Sequence, residues 1–181
     1  KGTLTVGAGT TYSEVSAFLE ATTEFALPNT ASLPHFSIAG AIATGTHGSS
    51  GKGPDGRLTR SGLADAVIGI SLIGPDGDVR TVQKDVDPTF DCSVTALGML
   101  GVVTEVTLQL VPSYRVRQRV YGQWPPSHAA AASSPGGLER LLASIPEAME
   151  QTSSFSAFVK WHVDDGGMLI LRDTLIEDGP P

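Results

Sequence analysis

PNTASLPHFSIAGAIATGTHGSSG, residues 28–51, is the stretch on which the interpretation of the whole sequence depends. It contains no aspartate, glutamate, lysine or arginine, yet it is rich in glycine, serine and threonine. A loop that only needs to be solvated ordinarily carries charge. Small, neutral, hydroxyl-bearing residues predict instead a backbone that comes close to a ligand and offers N–H and O–H donors.

Two parts of this stretch predict a site for a diphosphate. Apolar residues surround Gly40 in residues 37–44, which indicates a short helix with Ser37 as its N-cap. The amides of its first turn, with the helix dipole behind them, favour an anion. Gly45 and Gly48 follow, and both are able to adopt a positive φ. From these residues alone, an ordinary glycine-rich turn remains an alternative.

The pattern ASLPH…AG…ATGTHGS in this stretch resembles the second flavin-contacting segment of the vanillyl-alcohol-oxidase-type, or PCMH-type, FAD oxidases. It is most similar to the alditol (xylitol, sorbitol) oxidases, with the sugar-lactone oxidases next. The resemblance extends over residues 3–120 and is faint over residues 155–171.

The resemblance implies a set of FAD contacts. Six residues are expected to line the diphosphate and ribityl chain: Ser37, Gly40, Thr44, Gly45, Thr46 and His47. Ser32 is expected beside the isoalloxazine and within reach of the substrate, as the one catalytic candidate in this chain. Thr107, or the backbone near Val103, is expected at the adenine end. The main catalytic residues, and a histidine that attaches FAD covalently upstream, are expected outside this chain.

The expected fold class is α+β. Residues 1–122 are predicted to form the second subdomain of a PCMH-type FAD-binding domain, a mixed or antiparallel sheet flanked by helices. Residues 123–137 are expected to be a linker, and residues 138–181 the start of a substrate-binding cap domain. Both ends look cut, so we expect a fragment that is inactive by itself.

Alternation and capping signals predict the individual elements. In chain order they are strand 3–6, a capping-box helix from Thr11 to about 23, strand 64–73, turn 74–77, strand 78–82, helix 87–97, strand 99–112, exposed strand 114–121, helix 138–151, and strands 154–163 and 168–172. Val15, Phe18 and Leu19 share one face of the first helix, which predicts that this face packs on a sheet.

The function implied by the resemblance is oxidation of a polyol hydroxyl to a carbonyl, with O2 reduced to hydrogen peroxide. A sugar-1,4-lactone oxidase of the gulono or arabinono type is the alternative within the class. A nucleotide-binding module without redox activity is the alternative outside it. A serine hydrolase is not favoured, because the sequence has no GxSxG motif.

Composition narrows the partners. The net charge is −7, so no basic field attracts a nucleic-acid backbone. No apolar run has the length of a membrane span, and no signal peptide is visible, so the expected location is cytoplasmic. Four histidines without a ligand-spaced motif predict no metal site. Cys92, the single cysteine, excludes an internal disulfide and is expected to be buried.

Overall fold

The computed structural model describes residues 2–31, 33–49, 62–124, 137–159 and 167–175. The chain divides into two compact units. The first comprises Lys1–Gly48 and Arg60–Ser113, and the second comprises Ser49–Thr59 and Tyr114–Pro181. Among the residues of these described ranges, no helix is both long and apolar enough to cross a bilayer.

The first unit is built on an antiparallel sheet. Its strands, in chain order, are β1 (Thr3–Gly7), β2 (Phe25–Ala26), β3 (Val67–Ile73), β4 (Val79–Gln83), β5 (Val102–Gln109) and β6 (Val111–Pro112). The main sheet has the order β1-β5-β3-β4, and β2 pairs with β6 separately. The predicted hairpin joins β3 to β4, with Gly77 at φ 84° in its turn.

Three helices pack with this sheet: α1 (Tyr12–Thr22), α2 (Ile38–Ala43) and α3 (Phe90–Val94). The predicted capping box begins α1, because the Thr11 amide donates to Glu14 Oε2 at 2.8 Å and the Glu14 amide donates to Thr11 Oγ1 at 3.3 Å. One cluster of buried side chains joins helices and sheet, including Tyr12, Val15, Leu19, Ile38, Ile42, Ile70, Phe90, Val94, Val106 and Leu108. Burial of each such large apolar side chain stabilises the folded state by about 1.5–3 kcal/mol. The face of β5 that carries the apolar side chains is therefore the face that packs against the helices.

The second unit has a three-stranded antiparallel sheet and one long helix. Its elements are β7 (Arg115–Trp124), α4 (Gly137–Gln151), β8 (Ser154–Val159) and β9 (Gly167–Leu175), with strand order β7-β9-β8. Ala148 of α4 belongs to a buried cluster with Leu169 and Leu171 of β9. The helix continues through Pro146, as predicted.

Several boundaries differ from the sequence predictions. Residues 63–66 form a 3-10 turn, so strand β3 starts three residues later than predicted. The helix expected over 87–97 is confined to α3, because Asp87 Oδ1 accepts hydrogen bonds from the amide and hydroxyl of Thr89 before the helix begins. The first compact unit ends at Ser113, and β7 pairs with β9 in the second sheet.

Two burial predictions were wrong. Phe18 is 51% exposed although Val15 and Leu19 on the same helix are 2% exposed, so the apolar stripe of α1 is narrower than its sequence predicts. Cys92 is exposed on α3, whose buried side is formed by other residues. The predicted linker falls mostly in residues 125–136, and the predicted joint before residue 168 in residues 160–166, both outside the described residues.

Candidate functional site

The start of α2 does not offer the free amides that the sequence predicted. Ser37 is the N-cap residue, but its side chain makes no capping hydrogen bond. The amide of Ile38 donates to the carbonyl of Thr10 at 2.8 Å, and the amide of Ala39 donates to the carbonyl of Ala8 at 3.2 Å. These two donors are therefore committed to the loop after β1, and the predicted anion site on the first turn is wrong for both of them.

The end of α2 explains Gly45 by helix capping. The Thr46 amide donates to the Ala41 carbonyl at 2.9 Å, and the Gly45 amide donates to the Ile42 carbonyl at 3.0 Å. With Gly45 at φ 67°, this is a Schellman motif, in which a left-handed residue ends the helix. The amides of Gly45 and Thr46 thus satisfy helix carbonyls, which corrects the prediction that they face a diphosphate.

Side chains, rather than these amides, carry the polar groups that the segment has left for a ligand. Ser37 Oγ lies 2.8 Å from the position that a Cβ would occupy on Gly40. At this exposed part of α2, the Ser37 hydroxyl therefore lies next to backbone that no side chain covers. Thr44 Oγ1 donates to the Gly40 carbonyl at 3.0 Å and lies 3.3 Å from Thr46 Oγ1. A larger residue in place of Gly40 would fill this surface.

His47 follows the hydroxyl-bearing residues Thr44 and Thr46, and it is exposed. Its Nδ1 lies 3.2 Å from the carbonyl oxygen of Gly48, within hydrogen-bond distance. His47 also forms an isolated antiparallel bridge with Gly62, and the Leu63 amide donates to the Thr46 carbonyl at 3.2 Å. The backbone on either side of the imidazole is thereby fixed against the 3-10 turn.

The structure brings a second uncharged segment to the end of α2. The Leu97 amide donates to the Ala43 carbonyl at 3.2 Å. A Cβ placed on Gly45 would lie 3.4 Å from Thr95 Cγ2. No residue from 92 to 104 is charged. The sequence did not point to Thr95 or Leu97 as site residues, and the available signal was the shared lack of charge.

This second segment exposes apolar side chains. They are Leu97 at 67%, Met99 at 81%, Leu100 at 45% and Val102 at 70% of their surface. Gly98 and Gly101 lie among them with φ 78° and 141°. Exposed apolar groups collected on one loop mark a surface that binds something, and a flat aromatic ring is one group that such a surface accommodates.

Val103 and Thr107 lie on different sides of the sheet. Val103 packs against the buried cluster. Thr107 alternates with the buried Val106 and Leu108, so its side chain lies on the opposite face, where its hydroxyl is 2.9 Å from that of Thr5. The Thr107 side chain is therefore not brought together with the residues of α2. Ser32 lies outside the described residues.

A cleft of about 430 Å³ in the first unit borders the second segment at Thr95. Its lining residues are Ala64, Asp65, Val67, Lys84, Phe90, Asp91, Val94 and Thr95. None of the predicted site residues lines it. No group of three or more histidine, cysteine or carboxylate side chains in the described part of the chain is placed to hold a metal ion.

Comparison with known proteins identifies the class. Residues 1–83 match the family described as FAD binding domain. The chain superimposes on a cholesterol oxidase variant from Brevibacterium sterolicum with a TM-score of 0.76 and 21% identity, covering 99% of this chain and 33% of that one. It also superimposes on BBE-like 1 of Physcomitrella patens with a TM-score of 0.66 and 20% identity, covering 95% and 34%. The chain therefore carries part of an FAD-binding domain of the PCMH-type oxidase fold, which confirms the predicted fold class.

Sequence relatives place the chain more closely. It is 41% identical to the alditol oxidase of a Streptomyces species over 123 residues, which is 68% of this chain and 28% of that protein. It is 32% identical to the D-arabinono-1,4-lactone oxidase of Candida albicans over 117 residues, which is 64% of this chain and 20% of that protein. The chain thus spans less than a third of the length of either relative. The resemblance to FAD-dependent alditol oxidases drawn from the sequence is confirmed.

Proposed function

We propose that this chain is part of an FAD-dependent oxidase that converts a polyol hydroxyl into a carbonyl and reduces O2 to hydrogen peroxide. The identity to alditol oxidase over two thirds of this chain supports the polyol as substrate class. When bound, the flavin accepts two electrons from the alcohol carbon and passes them to O2, and the protein supplies binding, orientation and exclusion of water.

One structural observation carries the proposal. The hydrogen bond from the Leu97 amide to the Ala43 carbonyl joins two uncharged segments that lie far apart in sequence. One segment presents hydroxyls and an imidazole, and the other presents exposed apolar side chains. FAD needs both kinds of surface, because its diphosphate and ribityl chain take hydrogen bonds while its rings take apolar contacts.

The residues have distinct roles in this proposal. The hydroxyls of Ser37 and Thr46 and the imidazole of His47 bind the oxygen-rich middle of FAD. The Thr44 hydroxyl donates to the Gly40 carbonyl, so it serves there as an acceptor for a ribityl hydroxyl. Gly40 allows that part of the cofactor to approach the helix backbone, because any side chain there would stand beside Ser37 Oγ. Gly45 acts indirectly, by ending α2 so that Thr46 and His47 are correctly placed.

At the adenine end, the backbone at Val102 and Val103 is the proposed contact. The Thr107 side chain is the weaker of the two candidates from the sequence, because it lies on the sheet face opposite the buried helices. Ser32 keeps its proposed place beside the isoalloxazine and the substrate on the strength of the resemblance alone.

The first experiment asks whether the full-length protein is a flavoprotein oxidase. We expect the purified protein to be yellow, and to release peroxide with xylitol or sorbitol. We also propose covalent attachment through a histidine upstream of this chain, in which case flavin absorbance stays with the protein after acid precipitation. A colourless protein that takes up no flavin on incubation would contradict the proposal.

A lactone oxidase is the second candidate, because the Candida albicans relative is a D-arabinono-1,4-lactone oxidase. The two functions are separated by comparing peroxide release with xylitol, sorbitol, gulono-1,4-lactone and arabinono-1,4-lactone under the same conditions. A higher kcat/KM for the polyols supports the alditol oxidase. A higher kcat/KM for either lactone rejects it, while leaving the flavin site intact.

The role of Gly40 can be tested by filling the surface beside Ser37. We expect Gly40→Leu to reduce the ratio of bound flavin to protein at least tenfold. Ala17→Leu adds the same side chain at an exposed position of α1 and serves as the matched control. Full flavin content in Gly40→Leu, or an equal loss in the control, would show that α2 does not contact the cofactor.

A further inference from the structure

The side chain of Ser49 satisfies backbone groups on the outer edge of strand β8. The Phe155 amide donates to Ser49 Oγ at 2.8 Å, and the Ser49 hydroxyl donates to the Phe155 carbonyl. In an antiparallel pair, the amide and carbonyl of every second residue point away from the partner strand. Because β8 is an outer strand of the order β7-β9-β8, these two groups of Phe155 have no neighbouring strand, and Ser49 binds both.

The strand to which Ser49 is attached is itself fixed by packing. Phe155 lies opposite Leu171 in the register of β8 with β9. It also packs against the buried cluster of Ala148, Leu169 and Leu171. A segment bonded to a packed strand opens less readily than a loop with few buried contacts. Ser49 therefore ties its part of the chain to a rigid element.

His47 lies two residues before Ser49, and only Gly48 separates them. His47 belongs to the first compact unit, whereas Ser49 and Phe155 belong to the second. The backbone of His47 is held within its own unit by the antiparallel bridge with Gly62. The chain that carries the imidazole thus has one attachment at His47 itself and a second one two residues later.

We propose that Ser49 is a positioning residue that holds His47 in place for the flavin. This inference rests on the proposed function, because it takes His47 as a contact of the oxygen-rich middle of FAD. Gly48 leaves the chain many conformations, and ordering a loop when a ligand binds costs free energy. The two hydrogen bonds between Ser49 and Phe155 remove part of that cost before flavin binds. Ser49 acts through His47 and has no assigned contact with FAD.

A coupling of this kind is reciprocal. If the attachment of Ser49 to β8 favours flavin binding, bound flavin favours the attachment by the same factor. The Phe155 amide reports on the attachment, because Ser49 accepts its hydrogen. A role confined to covering the edge of β8 predicts that this amide is equally protected with and without flavin.

The experiment compares hydrogen exchange at Phe155 in the full-length protein with and without FAD. Apoprotein is produced in cells limited for riboflavin, and holoprotein is made from it by adding FAD. We expect the Phe155 amide of the wild-type protein to exchange at least threefold more slowly in the holoprotein, and we expect no such difference in Ser49→Ala. Equal exchange in wild-type apoprotein and holoprotein would overturn the positioning role while leaving the flavin site intact. A protein that takes up no FAD would overturn the proposed function and this inference with it.

Flavin affinity assigns the effect to the Ser49 hydroxyl. The FAD concentration that gives half-maximal incorporation into apoprotein should rise at least fivefold in Ser49→Ala. It should rise less than twofold in Ser49→Thr, which keeps a hydroxyl.

Ser153→Ala is the matched control. Ser153 Oγ accepts from the Thr174 amide at 3.0 Å, so this variant removes a bond of the same kind beside the same strand, far from His47 in sequence. It should change the FAD concentration for half-maximal incorporation less than twofold. Wild-type affinity in Ser49→Ala, or an equal loss in Ser153→Ala, would overturn the positioning role. If thermal unfolding shows that Ser49→Ala is not folded, the exchange comparison on the wild-type protein decides the question.

Discussion

Among the described glycines of the first unit, Gly101 has the least room for a side chain, so its replacement should lower stability. A Cβ placed on Gly101 would lie 2.2 Å from the carbonyl oxygen of Ile73 and 2.9 Å from its carbonyl carbon. Both are backbone atoms, at the point where β3 pairs with the start of β5. The φ of 141° is also a conformation that side-chain-bearing residues avoid.

The two costs add in Gly101→Ala. The backbone conformation costs about 1–3 kcal/mol for a residue other than glycine. The contact with Ile73 cannot be relieved by a rotamer change, because its carbonyl is part of the strand backbone and moves only with the strand. Overpacking of this kind costs about a further 1–3 kcal/mol. We expect the free energy of unfolding to fall by about 3 kcal/mol or more.

Gly98 provides the matched control. It lies three residues earlier in the same loop at φ 78°, and a Cβ there would have nothing within 4 Å. Gly98→Ala therefore carries only the cost of the left-handed conformation, about 1–2 kcal/mol. The two variants and the wild-type protein are compared by urea unfolding followed by circular dichroism, with the slope against urea checked for equality.

The difference between the two variants is the quantity that matters. Gly101→Ala should be less stable than Gly98→Ala by about 2 kcal/mol, the share expected from steric contact. If both variants lose the same stability, the close approach of Gly101 to Ile73 does not exist in solution. Gly101→Ala should also lower the flavin content, because it directly precedes Val102 and Val103, the proposed backbone contact at the adenine end.

Three further predictions concern local interactions. Tyr12 is 2% exposed and no described group lies within hydrogen-bond distance of its hydroxyl, so Tyr12→Phe should raise the free energy of unfolding by about 1 kcal/mol, and a loss of stability in urea unfolding would reveal a hidden partner. Hydrogen bonds from the amide and hydroxyl of Thr11 lower the pKa of Glu14, so the stability that this carboxylate contributes is present above the ordinary pKa of glutamate and is lost as the pH falls through the lowered pKa. The difference in melting temperature between wild type and Glu14→Ala should therefore shrink on acidification. A difference that stays constant with pH would show that the capping box is not the source of the stabilisation. Ser49 Oγ accepts from the Phe155 amide at 2.8 Å and donates to the Phe155 carbonyl on the outer edge of β8, so Ser49→Ala should speed hydrogen exchange of that amide at least fivefold, whereas unchanged protection would show that the bond does not persist.

The local sequence was sufficient where neighbouring residues determine the structure. The capping box at Thr11 and Glu14 starts α1 as predicted, because both hydrogen bonds lie within four residues. The hairpin of β3 and β4 and the helix α4 follow from turn residues and periodicity. The FAD-binding fold itself was predictable because residues 28–51 carry a long and specific pattern.

Hydrogen-bond partners distant in sequence could not be predicted. A first-turn amide in α2 is a free donor in sequence reasoning, but the chain after β1 passes close enough for Thr10 and Ala8 to accept from Ile38 and Ala39. A glycine after a helix was interpreted as a ligand contact, although at Gly45 it completes a helix cap. Both follow from a general rule, since nearly all buried backbone N–H groups find an acceptor in folded proteins, including acceptors from segments distant in sequence.

Sequence by itself determined the class of this protein: an uncharged, hydroxyl-rich stretch in a recognisable pattern, and the short-range signals that start its helices and turns. Only the tertiary structure decided which polar groups of that stretch remain for a ligand, and that Thr95 and Leu97 lie beside it. The physical reason is that propensity and capping act within a few residues of the chain, whereas hydrogen-bond satisfaction and charge compensation depend on what folding brings alongside.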